Sequence, residues 1–168
     1  MQGAALAWTF VWRIETWREL DDDHFDAVVD LVGDATEHDG FPALSDQLWL
    51  DLTDRQASGF AAVLALDDSQ RVAGYAQLAG TNKSTSVEVV IAPVARRQAH
   101  ELSTALLRAA FDEIAGTGGG TVHWWAHHPE ATADVVAAEV GLTLGRRLLQ
   151  LRRSLPIDAT TTVETRDF

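Results

Sequence analysis

The segment Val87-Glu88-Val89-Val90-Ile91 constrains this chain more than any other stretch. Five residues with four branched aliphatics favour an extended strand, and a strand this apolar belongs where both faces are covered, in the middle of a sheet. That predicts helices on both sides of the sheet. The one charge in the run, Glu88, therefore needs a reason to be there. Pro93 ends the strand, a basic turn containing Arg96-Arg97 follows, and a helix is predicted from about His100 to Ala115. In that helix Leu102, Leu106, Leu107, Ala110, Phe111 and Ile114 recur at helical spacing and make one buried face.

Elsewhere the chain alternates clear strand and helix signals. Trp8 to Trp17 is aromatic and β-branched, with Phe10, Trp12 and Ile14 on one face, and reads as a first strand. Asp21 to Asp23 offer a cap and first-turn charge to a helix carrying Phe25, Val28, Val29 and Val32, which runs to Asp39-Gly40. Pro42 breaks it. Ser45 or Asp46 then caps a shorter helix with Leu48, Trp49 and Leu52 on its apolar side. Gly59 to Leu66 and Val72 to Ala79 form an antiparallel hairpin about Asp67-Asp68-Ser69-Gln70. Four glycines between Gly116 and Gly120 stop the long helix, and Thr121 to Ala126 is the next strand. Pro129 opens a last helix that packs through Ala131, Val135, Val136 and Val140 and stops at Gly141; a final strand is expected from Leu142 to about Leu151. The order is strand, two helices, three strands, helix, strand, helix, strand. This is a mixed α/β sheet with helices on both faces, not an alternating parallel fold.

Length and charge bound the rest. A chain of 168 residues with 46% hydrophobic content supports one domain, taken as residues 1–155, with residues 156–168 as a tail or the start of a further domain. No apolar run approaches the ~18 residues of a membrane span, and Met1 to Ala7 lacks signal-peptide features, so a cytoplasmic protein with no membrane partner is expected. Cysteine is absent, which removes disulfides, thiolate metal sites and a cysteine nucleophile. Thirteen Lys and Arg against 25 Asp and Glu give a net charge of -12, which argues against nucleic acid as a partner and favours an amine or cation. The run His123, His127, His128 has no cysteine and no placed third carboxylate to support it, so no metal is expected.

The hairpin phrase Ala73-Gly74-Tyr75-Ala76-Gln77-Leu78, the strand through Pro93 and Arg96-Arg97 resemble the sheet core and cofactor turn of GCN5-related N-acetyltransferases (GNAT). Trp125-Ala126-His127 and the closing phrase from Gly141-Leu142 to Ser154-Leu155 resemble the N-terminal domain of mycothiol synthases, which carry two such domains in tandem. The resemblance implies the GNAT fold, a mostly antiparallel sheet splayed in the middle. It also implies an N-acetyltransferase moving acetyl from acetyl-CoA to a small primary amine. The alternative is a degenerate domain that supports an active partner domain, and a homodimer or a second GNAT domain is the expected protein partner.

By that resemblance Val89, Val90 and Ile91 offer backbone groups to the pantetheine arm as though it were an added strand. Arg96, Arg97, Gln98, Ala99 and Ser103 stand on the turn that would hold the pyrophosphate at a helix N-terminus. The family's glycines are missing there. In one register Arg96 leads, with Ala99 and Glu101 in the glycine places; in the other Gln98 leads, with Glu101 and Ser103, and both put a glutamate near the phosphates. Weakened coenzyme binding follows from that. Glu88 holds the family's place for the base that deprotonates the amine, and burial is expected to raise its pKa; the competing reading is a residue facing solvent across the sheet. Ala137 occupies the place of the usual tyrosine acid, which leaves His127 or His128 as the proton donor to the leaving thiolate.

Overall fold

The computed structural model describes residues 12–55, 57–81, 83–127 and 131–148. Five strands and four helices follow in the order β1 (Arg13–Trp17), α1 (Asp22–Asp39), α2 (Asp46–Asp54), β2 (Ala61–Leu66), β3 (Val72–Thr81), β4 (Ser84–Ile91), α3 (Ala99–Gly116), β5 (Thr121–Trp125) and α4 (Ala131–Glu139). A 3-10 helix, Pro93–Gln98, links β4 to α3. The strands lie in the order β1-β2-β3-β4-β5. Every neighbouring pair is antiparallel except β4–β5, which is parallel.

Local chemistry sets the helix ends. Asp21 accepts the His24 backbone N–H at 2.8 Å and caps α1, while Gly40, at φ 73°, closes it in the left-handed conformation that costs glycine least. Ser45 caps α2, its side chain accepting from Leu48 N–H. All six residues of β2 are buried, as a strand flanked on both sides and covered on both faces must be. In α3, Leu102, Leu106 and Leu107 are wholly buried, each contributing about 2 kcal/mol by leaving water.

The two sheet faces are distinguished by parity. Gln77 stands opposite Glu88 and Tyr75 opposite Val90, so these four side chains share one face. Gly74, opposite Ile91, lies on the other. A Cβ at Gly74 would meet Leu106 Cδ1 at 3.0 Å, which puts α3 on that second face. The first face meets α2, through contacts described below.

Two expectations fail. Residues 142–148 form no strand, and the remainder of the expected last strand lies outside the described residues, as does the stretch 8–11 of the first. Among the described side chains of α4 only Val136 is fully buried; Val135, one step round the helix, is 57% exposed. No described helix is long and apolar enough to cross a membrane.

Candidate active site

The parallel ladder between β4 and β5 runs from Ser84–Thr121 to Glu88–Trp125 and stops there, while β4 goes on pairing with β3 as far as Ile91. Val89, Val90 and Ile91 thus have a ladder partner on one side only among the described residues. Neither β4 ladder shows a register shift. The one irregularity in the sheet lies between β2 and β3, at Ala65/Leu66, so the opening beside β4 comes from divergence of two strands and not from a bulge.

Backbone parity decides which of the three residues face the opening. Ala92 N–H donates to Ala73 O at 2.9 Å, which makes that pair a hydrogen-bonded one. In an antiparallel ladder such pairs alternate, so Val90 with Tyr75 and Glu88 with Gln77 also exchange their amides across to β3. Val89 and Ile91 sit at the intervening positions and face the other way; the Glu88–Trp125 pair takes up the Val89 N–H, which leaves the Val89 C=O and the N–H and C=O of Ile91 pointing into the gap. Of the three predicted residues, two offer backbone groups to a ligand there; those of Val90 are taken up by the sheet.

Glu88 marks the point where β4 and β5 part. Its side chain is 3% exposed, so it does not face solvent across the sheet. Ser45 N–H donates to its Oε2 at 2.7 Å, and His127 Nε2 lies 3.0 Å from the same oxygen. His127 stands two residues beyond Trp125, the last paired residue of β5, so its ring reaches back across the fork to the opposite strand. The structure brings both predicted catalytic residues into direct contact. It corrects the expected direction of the Glu88 pKa. Burial pushes the carboxyl up, but the His127 hydrogen bond, the two Ser45 hydrogen bonds and the imidazolium charge outweigh it, and the net displacement is downward. His127 moves the other way, upward, because its hydrogen bond to Glu88 exceeds the opposing effect of burial. The pair is an ionised carboxylate against an imidazole that holds its proton more firmly than usual.

A second polar cluster adjoins the first. Gln77, fully buried and opposite Glu88, donates from Nε2 to Leu48 O at 2.7 Å and accepts at Oε1 from the Tyr75 hydroxyl at 2.9 Å. Sequence reading had no signal for this: the partners are 29 positions apart and Leu48 contributes only its carbonyl.

The turn after Pro93 is not a nest of converging amides. Ala95 N–H donates to Ala92 O and Ala99 N–H to Arg96 O, so Gln98 and Ala99 are spent on a 3-10 helix that feeds α3 directly. Arg96 is paired with Asp39 at the end of α1, at 2.5 Å. Arg97 is exposed and forms no ion pair among the described residues, and Ser103 is half-buried in the second turn of α3. Glu101 points to solvent in the first turn. Ala137, half-buried in α4, brings no hydroxyl. No group of three His, Cys, Asp or Glu able to hold a metal occurs among the described residues, and His128 lies outside them.

A five-stranded sheet forked beside β4, with a helix entered straight from the end of that strand, is the acyltransferase fold of the GNAT proteins. It covers 86% of this chain and 97% of an aminoglycoside acetyltransferase from an uncultured soil metagenomic sample, solved in complex with sisomicin, at TM-score 0.62 and 16% identity. An aminoglycoside N-acetyltransferase in complex with CoA matches at TM-score 0.60 and 13% identity, over 86% of this chain and 97% of its own. No family model matches the chain. By sequence the relatives are mycothiol acetyltransferases: that of Streptomyces coelicolor is 37% identical over 146 residues, 84% of this chain, and that of Thermomonospora curvata 38% identical over 138. The chain spans about half the length of these curated relatives, 45% and 43%.

Proposed function

We propose that this domain is an acetyl-CoA-dependent N-acetyltransferase acting on a small primary amine. The observation that carries the reading is the set of outward backbone groups, the Val89 C=O and the Ile91 N–H and C=O, opening beside the Glu88–His127 contact. An extended pantetheine arm can pair with Val89 and Ile91 as a short added strand, which would bring its thioester end toward the fork. The backbone of β4 fits that arm; the phosphate end fits less well, with the loop glycines absent, Arg96 engaged by Asp39, and Arg97 as the free cation.

The chemistry follows from the divergent pKa values of the pair. The amine nitrogen attacks the thioester carbonyl carbon, a C–N bond forms, and the C–S bond breaks. Glu88, whose carboxyl is held below its ordinary range, takes the proton lost by nitrogen, and His127, which holds its proton more firmly than usual, gives that proton to the departing thiolate. Proton transfer from Glu88 to His127 across their 3.0 Å contact restores both. The mycothiol acetyltransferase relatives support an amine on a small polar molecule as acceptor. Their length, about twice that of this chain's match, supports a second acetyltransferase domain beside residues 1–155.

Calorimetric titration of acetyl-CoA into the purified chain tests the first half of this reading, and thiol release in the presence of cysteinyl glycosides or other small amines tests the second. Binding in the micromolar to millimolar range, with turnover lost in Glu88→Gln while binding persists, is the expected result. No heat at millimolar acetyl-CoA would refute it and leave the domain as a support for another.

A further inference from the structure

We infer that Gln77 is a positioning residue for the Glu88–His127 pair, acting through the first turn of α2. The inference deepens the functional reading above and rests on it for its significance, though the geometry stands by itself.

The Ser45 N–H that reaches Glu88 belongs to the cap of α2, a nine-residue helix touching the sheet with few buried side chains, Leu48 and Leu52. A hydrogen bond from a helix end to a carboxylate is only as well aimed as the helix is fixed. Gln77 fixes it. Its Nε2–H donates to the carbonyl of Leu48, one turn beyond Ser45, and it projects from β3 directly opposite Glu88. One pair of facing sheet residues therefore holds the same turn of α2 at two points, Glu88 at Ser45 and Gln77 at Leu48. The amide of Gln77 is itself oriented, because Tyr75 O–H donates to its Oε1. Burial pushes the Tyr75 phenol well up, so it remains a donor at every physiological pH. With both ends matched, the amide cannot turn over without leaving a buried donor facing a donor and an acceptor facing an acceptor.

Nothing in packing alone asks for this chain. A leucine or methionine at position 77, with phenylalanine at 75, would fill fully buried sites of similar volume without a polar group to satisfy. What the amide adds is direction: it sets the distance from Ser45 N–H to Glu88 Oε2, and with it the charge that Glu88 presents to His127. Among the described residues His127 is the one titratable side chain in contact with Glu88.

The test is a titration of the Glu88 carboxyl by carbon NMR on selectively labelled protein, in wild type, Gln77→Met and Tyr75→Phe. Loosening the first turn of α2 removes a donor from the carboxylate, so the midpoint in Gln77→Met should rise by at least about half a pH unit, a threefold gain in proton affinity. Tyr75→Phe should move it in the same direction by less, and it removes one oxygen only, which keeps the question answerable if Gln77→Met does not fold. Unchanged midpoints in the variants that fold, with thermal stability alone reduced, would overturn the inference and make Gln77 a structural residue. Because no acyl donor or acceptor is present, that outcome is distinguishable from a failure of acetyl-CoA to bind.

Discussion

Replacing Glu88 by glutamine leaves the shape of the fork intact, an acceptor for Ser45 N–H, and no charge opposite His127. The consequence for stability can be worked out from the structure, and it depends on pH in a way that a packing defect would not. Glu88 is depressed in the folded state, so its contribution is present above its unfolded value of 4.5 and fades as pH falls through the folded value. His127 is raised, so its contribution is fully present below 6.5 and fades as pH rises through the folded value. The two windows overlap between 4.5 and 6.5, where the wild type should exceed Glu88→Gln by most. For the size, an N···O contact of 3.0 Å at an effective dielectric near 20 gives about 5 kcal/mol before desolvation. The His127 side chain is 35% exposed and partly screened, and Glu88 loses hydration on burial, so a net of about 1–2 kcal/mol is expected. For a domain of this size that is about 2–8 °C in Tm. Urea denaturation of both proteins from pH 4 to pH 9 measures it. A stability difference that stays flat with pH would refute the ion-pair reasoning, and a maximum above pH 8 would reverse the assigned directions.

Three further outcomes are expected. Val90→Pro removes an amide that pairs with β3 and should destabilise by about 3 kcal/mol or more, whereas Ile91→Pro removes one that points into the gap and should cost less in stability while weakening acetyl-CoA binding about 2- to 10-fold; thermal melts and calorimetry on the two variants compare them. Asp39→Asn frees Arg96 from its partner and should tighten acetyl-CoA binding by about 2- to 5-fold, the worth of a partly exposed ion pair, while leaving turnover of bound coenzyme unchanged. Gly59→Ala should destabilise by about 2–4 kcal/mol, because its backbone sits at φ 80° and the added Cβ would lie 2.2 Å from Gly80 O; a shift under ~1 kcal/mol in chemical denaturation would show that the 59 and 80 turns relax freely.

What the sequence disclosed and what it withheld divide along chemical distance. The Asp21 and Gly40 ends of α1, the Ser45 cap and the breaks at Pro42 and Pro93 were legible because each is a bargain between neighbours in the chain. The apolar run of β4 announced a central strand, and its lone glutamate announced a site. The parity of Val89, Val90 and Ile91 was not legible, since it depends on which residues of β3 lie opposite, and a one-residue slip would exchange their roles. The direction of the Glu88 pKa was misjudged for a related reason. Burial can be guessed from an apolar context, but the two donors that reverse its effect come from 43 positions upstream and from the far side of the fork. The expected strand over 142–148 failed because hydrophobic content was read as pairing: Leu144 and Leu148 are 75% and 71% exposed, and Arg146 instead lies over the Trp125 ring at 4.8 Å.

The distribution of polar groups around the fork argues for function over stability as their cause. Tyr75, Gln77 and Glu88 occupy one face of two adjacent central strands, where aliphatic residues would pack without any desolvation cost, and buried ion pairs are commonly replaceable by apolar residues with no loss of stability. Each polar group is nevertheless satisfied, and by a partner that leads to the same place: Tyr75 to Gln77, Gln77 to the first turn of α2, that turn to Glu88, and Glu88 to His127. A fold that needed only to hold together would have no use for four linked polar contacts converging on the one point where its sheet comes apart. The proposed acetyl transfer, which calls for a carboxylate and an imidazole aimed at an open strand edge, gives all of them a use.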